Sequence, residues 1–207
     1  MENTLQDKNI STNLINSAEN IKTPIYSVVQ KFPKCKINEI EYPLKSNTEY
    51  PIKCEIFKNN KKFYVTCSPS ANTIECYIEM LKNKNIEIVI KLNEKHMYDI
   101  NKIKNNNIAF EEIVIEDGNI PSDDNIYKLN EIVGKYNNIC IHCMAGLGRA
   151  PLIMALILIL QFNQDPDDTA IEIRNLIPNC LNTTQLQFLT KFKRTKYIKN
   201  ITKCILM

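Results

Sequence analysis

Nine consecutive apolar residues, Leu152 to Leu160, constrain this chain more than any other stretch. The run is too short to cross a bilayer, which takes about 20 residues, and it fits a helix at the centre of a core. Shortly before it, Ile139-Cys140-Ile141 reads as a buried strand. The residues between them, His142-Cys143-Met144-Ala145-Gly146-Leu147-Gly148-Arg149-Ala150-Pro151, must therefore form the turn from strand to helix. A buried strand feeding a buried helix predicts an α/β fold, a central mostly parallel β-sheet flanked by helices. A functional site is expected at the carboxyl end of the strand before Cys143.

Such a turn is suited to an anion. The backbone N–H groups of Met144, Ala145, Gly146, Leu147 and Gly148 can curl around a phosphate, with the positive end of the following helix aimed at the same point. Gly146 and Gly148 are expected to supply the backbone freedom and close approach that such a cradle needs. Cys143 stands at its mouth, where a positive field favours the nucleophilic thiolate. Arg149 follows after five intervening residues, and its planar fork can grip two phosphoryl oxygens.

Other chemistries fit the same residues less well. Cys140 and Cys143 form a C-x-x-C pair, but along a strand their α-carbons lie about 10 Å apart, beyond disulfide reach. A structural zinc needs two further ligands, and the chain has only two histidines. Gly146-Leu147-Gly148 is half of a dinucleotide fingerprint without its third glycine. A cysteine protease needs a histidine base, whereas His142, adjacent to Cys143 on a strand, points away from it. His142 is expected to brace the loop through backbone hydrogen bonds.

The run from His142 to Pro151 resembles the signature loop of the phosphatases of regenerating liver, prenylated members of the dual-specificity cysteine phosphatases. Most cysteine phosphatases carry Ser or Thr directly after the arginine; this family carries alanine, as Ala150 does here. Residues 51–94 resemble the family's opening hairpin, helix and strand, so the likeness runs from about Pro51 to the C-terminus. Asp117 is a second candidate: in Ile113-Val114-Ile115-Glu116-Asp117-Gly118 a strand ends in two carboxylates and a glycine. Thiolate attack on a phosphoester requires an acid for the departing oxygen. On residues alone Asp117 could equally be a solvated turn carboxylate; similarity to the family's Asp-Asp-Gly loop makes it the acid. Three departures accompany the resemblance. Asn93 precedes Glu94 where the family has a redox-active cysteine, Ile113-Val114-Ile115 replaces an aromatic Trp-Pro-Phe lead-in, and Asn175 to Asn179 replace basic residues.

The chain's 207 residues and net charge of +3 describe one soluble domain plus an extension. Residues 1–48, polar and without sustained period, read as a largely disordered extension, with a short segment near Tyr26 to Phe32 that could pack on the fold. Residues 49–198 read as the phosphatase domain and 199–207 as a basic tail. Within the domain, Ile52 to Phe57 and Lys62 to Thr66 form a hairpin, and Ile86 to Ile90 an inner strand. Asn72 is expected to cap a helix to Lys82, Asp123 or Asp124 one to about Tyr136, Asp165-Pro166 to open one to Leu176, and Asn182-Thr183-Thr184-Gln185 to open the last. Gln185 could lie near the cradle and orient water, but is read rather as an ordinary helix polar residue. Eight irregularly spaced cysteines without a secretory signal suggest free thiols in a reducing compartment.

At the end, Lys191, Lys193, Arg194, Lys196, Lys199 and Lys203 precede Cys204-Ile205-Leu206-Met207, with no acidic residue after Glu172. This reads as a prenylation box on Cys204 beside a basic stretch, which implies farnesyltransferase and an anionic membrane as partners. No nucleic-acid fold accompanies the basic residues. The resemblance implies hydrolysis of phosphoproteins (phosphotyrosine) or phosphoinositides through a phosphocysteine, without metal or cofactor. Slow turnover is expected because Ala150 lacks a hydroxyl, and the location is the cytoplasmic face of membranes with a soluble pool. It also implies an alternative, a binding module docking its active-site face on a cyclin M type magnesium-transport mediator.

Overall fold

The computed structural model describes residues 49–198. The extension expected over 1–48 and the basic tail with Cys204 lie outside them. The chain opens with a hairpin, β1 (Ile52–Lys58) and β2 (Lys61–Cys67), whose two turn residues Asn59 and Asn60 have φ of 48° and 63°. Asparagine tolerates this left-handed geometry, which matches the twist of the strands it joins. Then follow α1 (Ile74–Asn83), β3 (Ile88–Lys91), α2 (Asn101–Lys104), β4 (Ala109–Glu112), α3 (Asp123–Lys135), β5 (Asn138–Cys143), α4 (Arg149–Phe162), α5 (Pro166–Leu176), α6 (Thr183–Thr190) and α7 (Thr195–Ile198). The five strands are ordered β1-β2-β5-β3-β4; β1 is antiparallel to β2 and every other pairing is parallel. The expected mixed architecture is the one observed.

Alternation along the strands splits the interior into two layers. Phe63, Val65, Ile139, Ile141 and Cys143 face the core built with α3, α4, α5 and α6. Tyr64, Val89 and Cys140 face the core built with α1 and α2. Helix α4 is enclosed by the larger layer, and every side chain from Arg149 to Leu160 is buried. The nine-residue apolar run is the sequence trace of that burial. Pro151 falls in the first turn of α4, where its missing N–H removes no helical bond, and Asn163 ends the helix in a left-handed C-cap.

Several local expectations need correction. The N-cap of α1 is Thr73, not Asn72, and its hydroxyl makes no cap bond because it accepts the Ser70 N–H at 2.8 Å. Helix α3 is capped by Ser122, whose hydroxyl accepts the Asn125 N–H, so Asp123 and Asp124 lie inside the first turn instead. Strand β4 ends at Glu112; residues 113–115 continue as irregular chain, bonded to the end of β3 through Ile113 N–H to Lys91 O and Ile115 N–H to Leu92 O. The short α7 follows α6, which is therefore not the last helix.

Candidate active site

Strand β5 delivers His142 and Cys143 to the carboxyl end of the sheet, and residues 144–148 turn from there into α4. The loop's carbonyls are engaged outward: Met144 O accepts Ser68 N–H, Leu147 O accepts Leu181 N–H and Gly148 O accepts Leu152 N–H, each at 3.0 Å. Among the described residues, the N–H groups of Met144, Ala145, Gly146, Leu147 and Gly148 donate to no protein acceptor. Carbonyls tied outward leave these amides available to an anion, which is the electrostatic requirement of a phosphate cradle. Cys143 is buried at the start of this loop, in the α4 side of the core.

The two glycines differ. Gly146 has φ of +70°, and a Cβ there would lie 2.9 Å from Thr66 O, so both its conformation and its space exclude a side chain. Gly148, the N-cap of α4, has φ of −121°, and its Cβ would meet Gln185 at an ordinary 3.5 Å. The backbone freedom expected of the two glycines is used as a positive φ at Gly146 and not at Gly148.

Arg149 is 3% exposed, and its hydrogen bonds divide its fork. Nη1 donates to Glu94 Oε2 at 2.9 Å and to Ile115 O at 3.0 Å, which occupies both of its protons. Nη2 meets Asp117 Oδ1 at 3.0 Å, while the buried Nε has no partner. The Nε–Nη2 edge is thus the one able to receive two oxygens side by side. Glu94 anchors the other corner; its own backbone amide and then Arg149 hold its carboxyl below the usual range.

Asp117 reaches Arg149 with its side chain 88% exposed. Its loop turns at Gly118, φ +77°. Neighbouring Glu116 accepts from Asn119 Nδ2 and points to no other described group of the site. The loop is held from α6: Asn182 Nδ2 donates to Gly118 O at 2.9 Å and Gln185 Nε2 to Asn119 O at 3.3 Å. The same two side chains form a reciprocal capping box at the helix start. Gln185 is fully buried between the Asp117 loop and Gly148, beside the cradle as the alternative reading had it and not as an ordinary helix polar residue. The spacing Asn-x-x-Gln was the available signal; burial of its glutamine was not.

His142 lies on the opposite face of the sheet from Cys143. Its Nε2 is 2.8 Å from the Tyr98 hydroxyl, a side-chain partner. Burial, and then the charge of Lys91, push it down to about 3, so it is neutral at physiological pH. Lys91 is itself buried, registered between His142 and Glu112 across the sheet, and bonded to Glu112 Oε1 at 2.9 Å. Cys140 also faces away from Cys143, 3.3 Å from the Tyr77 hydroxyl, and burial pushes its thiol up to about 11. Both Cys140 and Cys143 are free thiols. Ala150 is fully buried directly after Arg149.

Residues 64–163 match a family model described as a polymorphic toxin system DSP-PTPase phosphatase. The chain is 33% identical over 149 residues to the PRL-1 phosphatase of Drosophila melanogaster, covering 67% of this chain and 81% of that one. It is 29% identical to protein tyrosine phosphatase type IVA 3 of Mus musculus, covering 69% and 85%. A solved protein tyrosine phosphatase from Leishmania major superposes with a TM-score of 0.59 at 25% identity, covering 65% of this chain and 89% of that one.

Proposed function

This chain belongs to the phosphatases of regenerating liver, the type IVA protein tyrosine phosphatases of the dual-specificity superfamily, and we propose that Cys143, Arg149 and Asp117 carry its chemistry. Residues 49–198 are, in this reading, the catalytic domain. A phosphomonoester dianion enters the cradle of amides 144–148 and takes the Nε–Nη2 edge of Arg149. That exchange displaces Asp117 from Nη2 and frees its carboxyl for the leaving group. Cys143 thiolate attacks phosphorus, the S–P bond forms as the P–O bond breaks, and protonated Asp117 gives its proton to the departing oxygen. Water then attacks the phosphocysteine, Asp117 takes the water proton, and the S–P bond breaks to return the thiolate and free phosphate. Glu94 keeps Arg149 oriented throughout, and Asn182 and Gln185 position the acid loop. His142, neutral and on the far face, braces the strand that carries Cys143.

The second step receives less help than the first. Ala150 offers no hydroxyl to the departing thiolate, so the phosphocysteine accumulates and turnover is slow. The observation that carries the whole reading is the set of loop amides without protein acceptors beside Cys143 and Arg149. Rapid-quench kinetics on an aryl phosphate tests it. Wild type is expected to give a stoichiometric burst, Cys143→Ser none, and Ala150→Ser a faster steady state. Absence of a wild-type burst sinks the mechanism.

The phosphorylated group belongs to a phosphotyrosine protein in this proposal, with a phosphoinositide as the alternative. Tethering to the cytoplasmic face of an anionic membrane rests on Cys204 and the basic residues before it, and is tested by farnesyl incorporation into wild type against Cys204→Ser. Ala150, together with Asn175 to Asn179 at positions where the family is basic, favours a second reading, a binding module for a cyclin M type magnesium-transport mediator. Capture of such a partner by Cys143→Asp, which has no thiolate, separates binding from catalysis.

A further inference from the structure

Helix α6 serves the cradle with one side only. Gln185 faces Gly148 and the acid loop, but Thr184, Phe188 and Lys191, four and three residues apart, make a stripe along a different side. That stripe is one wall of a groove of about 420 Å³. The facing wall begins at Ile120, three residues beyond Asp117 and 40% exposed, immediately after the Asn119 carbonyl held by Gln185. Its floor is apolar: Phe192 and Tyr197 are buried, with parallel rings 5.1 Å apart. The groove follows α6 for roughly 10 Å, at 1.5 Å per residue from Thr184 to Lys191. Cradle and groove are therefore joined by the chain Asp117-Gly118-Asn119-Ile120.

The rim carries charge of one sign in excess. Lys196 is paired with Asp123, which also accepts from the Tyr197 hydroxyl. Lys191 and Lys193 are exposed, and among the described residues neither has an ion-pair partner. An aromatic floor under two unpaired lysines is complementary to an apolar side chain next to a carboxylate. An apolar side chain matches the aromatic lining and a neighbouring carboxylate matches the two lysines, a pairing that a peptide supplies and a lipid surface does not.

We propose that this groove is a substrate subsite that takes an apolar residue adjoining Asp or Glu, a few positions from the phosphorylated side chain of a peptide held in the cradle. The proposal rests on the phosphatase reading above, and its occupant is chosen by charge and shape.

Two phosphotyrosine peptides, identical except for Glu-Leu against Ala-Ala in the flank, are compared on wild type and on Lys191→Glu/Lys193→Glu. The expected result is about a tenfold preference of wild type for the Glu-Leu peptide in kcat/KM. The double variant loses that preference, with hydrolysis of a small aryl phosphate unchanged. Phe188→Ala is expected to weaken the preference through the apolar part alone. Equal rates for the two peptides on wild type, or an equal loss on both in the variant, overturn the subsite. So does a variant that keeps the preference but no longer binds phosphatidylcholine vesicles containing phosphatidylserine, since the lysines then serve a membrane. Peptide affinity by fluorescence anisotropy is measured in parallel. If wild type fails to hydrolyse the aryl phosphate, the catalytic reading falls, and the affinity ratio of the two peptides still decides the groove.

Discussion

The cradle and the acid loop meet at Arg149, yet they are built in opposite ways. The cradle comes from one contiguous stretch between a buried strand and a buried helix, and its Cys143 and Arg149 are each 3% exposed. The Asp117 loop is exposed, leaves Asp117 88% open to solvent, and is held by side chains from elsewhere in the chain, among them Arg149, Asn182, Gln185 and Glu94. Binding an anion needs fixed dipoles, which a buried turn supplies. Delivering a proton needs a group that can exchange partners, which an exposed loop with few bonds supplies. In the proposed mechanism one site thus combines a buried half with an exposed half.

That contrast predicts unequal responses to mutation. Gly146→Ala is expected to have the largest effect, a loss of the order of 1000-fold in kcat/KM with destabilisation of about 1–3 kcal/mol, because its Cβ would strike Thr66 O at a positive φ. Gly148→Ala, in ordinary contact with Gln185, should stay within about threefold of wild type; steady-state kinetics and thermal melts on the pair check both. Asp117→Asn should lower kcat by about 100-fold for alkyl phosphates and much less for aryl phosphates, whose leaving oxygens need less proton assistance. Equal losses on both substrates would remove Asp117 from the acid role.

Acid should loosen the cradle's supporting strand. The folded chain holds His142 neutral down to about pH 3, whereas the unfolded chain takes up a proton near the ordinary value of 6.5. The unfolded state therefore binds more protons below that value, so this contribution to stability is complete above pH 6.5 and is lost as pH falls toward 3. The expected slope is roughly 1.4 kcal/mol per pH unit in that window, read from urea midpoints between pH 7 and 4. A more modest effect is expected at the latch. Asn182→Ala should cost about 1 kcal/mol through its cap and lower kcat several-fold by releasing Gly118, with KM for a small aryl phosphate little changed. A loss confined to KM would place Asn182 in binding.

The same division governs what could be read before folding. The cradle was legible because its parts are adjacent: the strand, Cys143, five amides, Arg149 and the apolar helix occupy one unbroken stretch. The start of α6 at Asn182-Thr183-Thr184-Gln185 was legible for the same reason. Helix starts chosen among neighbouring polar residues were less so, since Asn72 and Thr73, or Ser122 and Asp123, differ only in which backbone conformation tertiary packing imposes. The end of β4 was placed three residues late because Ile113 and Ile115 remain buried after strand pairing has stopped.

The sequence by itself determined the α/β class, the strand–turn–helix stretch that carries Cys143 and Arg149, and the burial of α4, because each depends on residues close together along the chain, where spacing and hydropathy act directly. Only the tertiary structure decided that Glu94 orients Arg149 across 55 residues, that Lys91 sits between His142 and Glu112, and that Gln185 is buried between Gly148 and the acid loop. Those contacts join distant segments through strand order and helix packing. No local pattern encodes which polar side chain a folded sheet will bring to which carboxylate.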